Sequence, residues 1–183
     1  MPELLHGPGP IYALDGVTPK VAPDAFIAPT AAVIGDVEIG AETGIWFQCL
    51  VRGDLCHIRI GARTNIQDGA IIHVDSGGLA AIIGDDVTVG HNAVIHACTL
   101  QNRAFVGISA TVLDRAVIEE GGMLGAGGLL APGKVIRRNE LWVGVPAKLF
   151  RVMEEDERRK FDRNAEVYRT LAARFRTGLQ STT

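Results

Sequence analysis

The sequence is short of cysteine, of charge imbalance and of long apolar runs, and each shortage removes a class of protein. It has 3 cysteines in 183 residues. These are Cys49, Cys56 and Cys98, and no C-x-x-C pair joins them. An odd number without a secretion signal argues against a disulfide framework. Free cysteine usually serves as small apolar filler. Net charge is only -3 and no basic stripe precedes the C-terminal end. Neither nucleic acid nor a membrane surface is expected as a partner. The start, MPELLHGPGP, lacks the basic and apolar regions of a signal peptide. The stretch GGMLGAGGLLAPG is too short and too rich in glycine to span a bilayer. The expectation is a soluble, cytoplasmic protein.

What the chain has instead is hydrophobicity at a period of six. Apolar residues make up 47%, enough for one domain with a sizeable core and an appendage. Val21, Ile27, Val33, Ile39, Ile45 and Val51 are evenly spaced. After an offset come Ile60, Ile66 and Ile72, and after another Ile83, Val89 and Ile95. Leu100, Val106, Val112, Ile118, Leu124, Leu130 and Ile136 follow without a break. Four residues beyond each, the side chain is nearly always small, as at Ala31, Thr43, Ala70, Ala93 and Ala110. Glycine often comes directly after it, as at Gly40, Gly61, Gly84 and Gly90. Helical spacing is absent here. Such a repeat predicts an all-β solenoid of triangular cross-section. Each hexad makes one short strand and one corner, with the aliphatic residue inside and the small one at the corner. Three hexads close a coil, and coils stack about 4.8 Å apart. The count of hexads predicts about six coils.

This reading divides the chain into a lead-in over 1–20, the solenoid over 21–150, an amphipathic helix over 151–178 and a disordered tail over 179–183. In the helix, Phe161, Ala165, Tyr168, Leu171 or Ala172, and Phe175 recur at helical spacing. That stripe is expected to pack along the solenoid or onto a neighbour.

The register sorts the histidines. His73 and His96 each directly follow an inward aliphatic residue and lie three hexads apart. They therefore stack in adjacent coils, provided DSGGLAA bulges outward. Three hexads back from Ile72 is Val51, so Arg52 joins that column, provided the surplus around CHIR is also looped out. His91 lies two residues after Val89, on the preceding face, and Asp68 sits beneath it with Gln67 adjoining. His6 and His57 have no such partners and read as ordinary surface or interface residues.

A corner separates His91 from His73 and His96, and diverging faces of one prism do not aim at one point. A second chain resolves this, because threefold closure brings one chain's column against the other column of its neighbour. Each metal ion is then expected to take two histidines from one chain and one from the next. Three imidazoles with an open position make the arrangement of a catalytic zinc. Such an ion lowers the pKa of its bound water to about 7.

The motifs VRGD (Val51–Asp54), NIQDG (Asn65–Gly69), His73 and GHNAVIH (Gly90–His96) resemble those of the γ-class carbonic anhydrases. The likeness is closer to the small bacterial members, which lack the long acidic loop of the archaeal prototype. The resemblance runs over nearly the whole chain, VGVPAK and the C-terminal helix included. It implies a left-handed parallel β-helix of hexapeptide repeats and a homotrimer with zinc, or Fe2+ or Co2+, at each interface. His73, His91 and His96 match the metal ligands, and Gln67 matches the residue that hydrogen-bonds the attacking hydroxide. Arg52, Asp54 and Asp68 match an interface ion-pair group, which persists only when paired. Tyr168 matches a tyrosine that some members fold over the site; it also suits a helix residue packing on the solenoid. The implied reaction is reversible hydration of carbon dioxide to bicarbonate. The chain departs from the archaeal prototype at Leu55, where that enzyme carries a glutamate. Its loop after His73 holds only Asp75 as a carboxylate, so no proton shuttle is evident. Two other functions fit hexapeptide repeats, a CoA-dependent acyltransferase using one histidine base and a non-catalytic trimeric scaffold.

Overall fold

A computed structural model describes residues 9–180. His6 and the end of the tail, 181–183, lie outside the described residues. The hexads form a parallel β-solenoid of about seven turns with one C-terminal helix. Each inward aliphatic residue stacks on its equivalent one coil away. Val33, Val51, Ile72, Ile95, Val112 and Leu130 form one column. A second runs through Ile39, Ile60, Ile83, Leu100, Ile118 and Ile136. The third runs through Ile27, Ile45, Ile66, Val89, Val106 and Leu124. Nearly all of these side chains are fully buried, each worth about 1.5–3 kcal/mol relative to exposure.

The corners explain the rest of the repeat. After the third column, the corner residue is left-handed at Gln48, Gly69, Asn92 and Ser109, with φ between 56 and 74°. Small residues follow, and Ala70, Ala93 and Ala110 are wholly buried. The glycines after the second column answer to stacking, because a Cβ on Gly61 lies 2.6 Å from the Gly84 carbonyl carbon of the next coil.

Seven turns rather than six arise because both ends add a rung. Ile11–Tyr12, within the expected lead-in, pairs with Val33–Ile34. Glu140–Gly144 stacks on Met123–Leu124, then folds back antiparallel onto Ala147–Val152. Residues 151 and 152 are thus strand, and the helix runs over Glu155–Gly178.

The two surpluses differ. DSGGLAA does bulge outward, closed by an Asp75–Leu79 bridge, with Ser76, Gly77 and Gly78 exposed. The residues around CHIR are not looped out. Leu50–Ile60 is one continuous strand. Its pairing slips instead, from Gly35 opposite Gly53 to Val37 opposite Ile58, so the surplus is a bulge within the strand.

The helix packs back along its own solenoid, against the face carrying Phe26, Gly44–Ile45 and Asn65–Ile66. Trp46 is the anchor, edge-on to Phe26, Tyr168 and Phe175 with ring centroids 5.2–5.3 Å apart. Phe105 and Phe161 make a further pair at 5.2 Å. Each such pair adds about 0.5–1.5 kcal/mol beyond area burial.

Candidate metal centre

The stacking expected for the polar column is present. Arg52 pairs with His73, and His73 with His96, across adjacent parallel strands. Their side chains point outward because they alternate with the buried aliphatics. His73 Nδ1 lies 3.2 Å from His96 Nε2.

The far nitrogen of each ring faces a carboxylate. His73 Nε2 is 3.0 Å from Asp54 Oδ1, and His96 Nδ1 is 2.5 Å from Asp114 Oδ1. An ionised carboxylate only accepts, so both of those ring nitrogens donate. The nitrogens facing each other are then two lone pairs at contact distance. Only a shared proton or a cation satisfies both. Two nitrogens bound to one tetrahedral ion at about 2.0–2.1 Å sit roughly 3.3 Å apart, so the observed separation fits a divalent metal. A carboxylate behind a ligating histidine is the usual support for such an ion.

Asp54 also pairs with the Arg52 guanidinium. Burial pushes the Asp54 carboxyl up, but the His73 hydrogen bond and the Arg52 charge together hold it below the ordinary carboxylate range.

His91 stands elsewhere. The corner at Asn92 and the strand Val94–His96 separate it from His96. Asp68 lies beneath it as expected, with Oδ2 3.0 Å from His91 Nδ1. The other Asp68 oxygen accepts from the Phe47 backbone N–H at 3.1 Å. Tyr168 reaches over from the helix, its hydroxyl 3.3 Å from His91 Nε2. Burial and the Asp68 charge raise the Tyr168 pKa, so the phenol stays protonated and donates to that nitrogen. Among the described residues of one chain, no three histidine, cysteine or acidic side chains gather around one point.

Gln67 is buried, and its Nε2 donates to Asn65 Oδ1 at 3.1 Å. Asn65 in turn donates to Thr88 Oγ1 at 3.0 Å, which pins the amide pair to the neighbouring coil.

Sequence reasoning missed Asp114 and passed over His57. Asp114 lies two residues after Val112, one coil beyond His96 and one position past the residue in register with it, so the repeat gave no signal for it. His57 lines a cleft of about 290 Å³ with Leu14, Asp36, Asp54, Leu55 and Cys56. Its Nδ1 is 3.7 Å from Cys56 Sγ. Leu55 is well exposed at the mouth of that cleft.

Fold and site together define a class, the hexapeptide-repeat solenoids that carry a histidine–carboxylate cluster on the outside of the coil. No family model matches the chain. Gamma carbonic anhydrase 2, mitochondrial, of Arabidopsis thaliana is 44% identical over 160 residues, 85% of this chain but 58% of that protein. The chain thus spans less than two thirds of that relative's length. A carbonic anhydrase of Geobacillus kaustophilus is 45% identical over 158 residues, 86% of both chains. Among solved structures, a hexapeptide transferase family protein from Anaplasma phagocytophilum superposes with a TM-score of 0.86 at 46% identity, covering 89% of this chain and 96% of that one. The chain belongs to the γ-carbonic anhydrase family.

Proposed function

We propose that the chain catalyses the reversible hydration of carbon dioxide, yielding bicarbonate and a proton, as a cytoplasmic homotrimer with a zinc ion at each subunit interface. One observation carries the reading: His73 Nδ1 and His96 Nε2 face each other at 3.2 Å, each ring held from behind by a carboxylate. A divalent ion held there supplies Lewis acidity that brings the pKa of water near 7. Iron or cobalt is the expected substitute for zinc.

The chain's own residues supply the rest. Asp54 and Asp114 keep the His73 and His96 rings in one tautomer. Asp68 does the same for His91 from the Nδ1 side, which leaves Nε2 as the nitrogen for a metal shared with a neighbouring copy, in place of the Tyr168 hydroxyl that meets it in one chain. The Gln67 amide, immobilised by Asn65, orients the attacking oxygen, and the Arg52–Asp54 pair steadies the wall behind His73. No carboxylate stands at position 55 to export the proton, so turnover is expected to be slow relative to members that have one.

The test is anaerobic purification with metal analysis, then stopped-flow hydration assays on zinc- and iron-loaded protein. About one metal per chain is expected, lost in His91→Ala with the trimer retained. A His91→Ala protein with full metal content contradicts the ligand set. The Anaplasma structure's transferase name favours a second reading, acyl transfer from CoA with one histidine as base. Metal-free protein that transfers acetyl groups would establish that reading instead.

A further inference from the structure

Each histidine of the set has a carboxylate of its own, and the family motifs point to only two of the three. We propose that Asp114 is the positioning residue for His96. It holds the ring with Nδ1 protonated and so keeps the Nε2 lone pair turned toward His73. The relevance to metal rests on the reading above; the ring's tautomer does not.

Three features carry the assignment. Asp114 Oδ1 lies 2.5 Å from His96 Nδ1, within direct hydrogen-bonding contact of a ring nitrogen with a carboxylate. Asp114 bonds no other side chain among the described residues. Its main chain is clamped on both sides, because the Arg115 N–H donates to the Ala97 carbonyl at 2.8 Å and the Gly133 N–H to the Asp114 carbonyl at 2.9 Å. His96 is fixed in the same way from below, with the Ala97 N–H donating to the His73 carbonyl at 2.9 Å. Two rigid coils therefore present the carboxylate to the ring at a set distance. Asp54 and Asp68 do the same for His73 and His91. A histidine whose second nitrogen is held in this way binds metal more tightly, and loss of the partner typically weakens binding 10–100-fold.

The test compares Asp114→Ala and Asp114→Asn with the unaltered full-length protein. Zinc affinity is measured by competition with a chromophoric chelator. The His96 tautomer is read from imidazole 15N shifts of the metal-free protein. Asp114→Ala is expected to weaken zinc about 10–100-fold and to free His96 to exchange tautomers. Asp114→Asn keeps an oxygen that accepts the Nδ1 proton and should fall between. Should the alanine variant fold poorly, the asparagine variant still decides by the same readouts. A variant that binds zinc as tightly as the unaltered protein, with His96 in the same single tautomer, overturns the proposal. If the unaltered protein binds no zinc at all, the carbonic anhydrase reading fails. The tautomer comparison then decides the role of Asp114 alone.

Discussion

Cys49 and Cys98 lie in the solenoid wall, where burial pushes both thiols up to about 12. Cys56 is half-exposed on the bulged strand. The thiolate is the reactive form, so iodoacetamide at pH 8 should label Cys56 alone in the native protein and all three cysteines in denaturant. Peptide mass spectrometry reads this directly, and native labelling of Cys98 would mean the wall is not packed as described. Among the polar residues, His73 and His96 were legible because they fell into register with each other, and His91 because it fell over Asp68. Asp54 and Asp68 were legible through their motifs. Asp114 was not, because an aspartate two residues after an inward aliphatic looks like any corner residue. Only the stacked coil shows which ring it meets.

At the level of strand and helix, close approach between coils sets what a position tolerates. A methyl group on Gly61 meets the Gly84 backbone at 2.6 Å and an Asp85 oxygen at 2.3 Å. Gly61→Ala should therefore cost about 1–3 kcal/mol, and Ile95→Ala, which empties a fully buried site, about 2–5 kcal/mol. Urea titration measures both, and a neutral Gly61→Ala would contradict the tight stacking. Ion pairs along one corner add a smaller effect. Glu120 bonds Arg103 and Arg138 from adjoining coils. The Arg103 hydrogen bond holds its carboxyl below the usual value. A carboxylate depressed in the folded state stabilises above its unfolded pKa, and the contribution is lost as pH falls through the folded value. Glu120→Gln should lower Tm by roughly 1–3 °C at pH 7, with the difference shrinking as pH falls below the ordinary carboxylate range. A difference that persists in acid would show that the pair is not its source. The repeat made the three stacked aliphatic columns of the solenoid legible, but not Ile58 and Val74, which are fully buried outside it. The bulge at Leu50–Ile60 was hidden, since a surplus of residues does not say whether it leaves the sheet or slips within it. The strand Ala147–Val152 was hidden too, because it pairs antiparallel and breaks the period.

For the whole molecule, the solenoid corner at Asn92 separates His91 from His73 and His96. Among the described residues of one chain the three do not gather around one point; the proposed threefold assembly is what would bring them to one ion. The most direct measurement is anomalous diffraction at the zinc edge on crystals of zinc-loaded protein. The account predicts one zinc peak per chain, bonded to His73 and His96 of one copy and to His91 of the next. Zinc peaks absent from that seam, or bound within a single chain away from these three histidines, would contradict it.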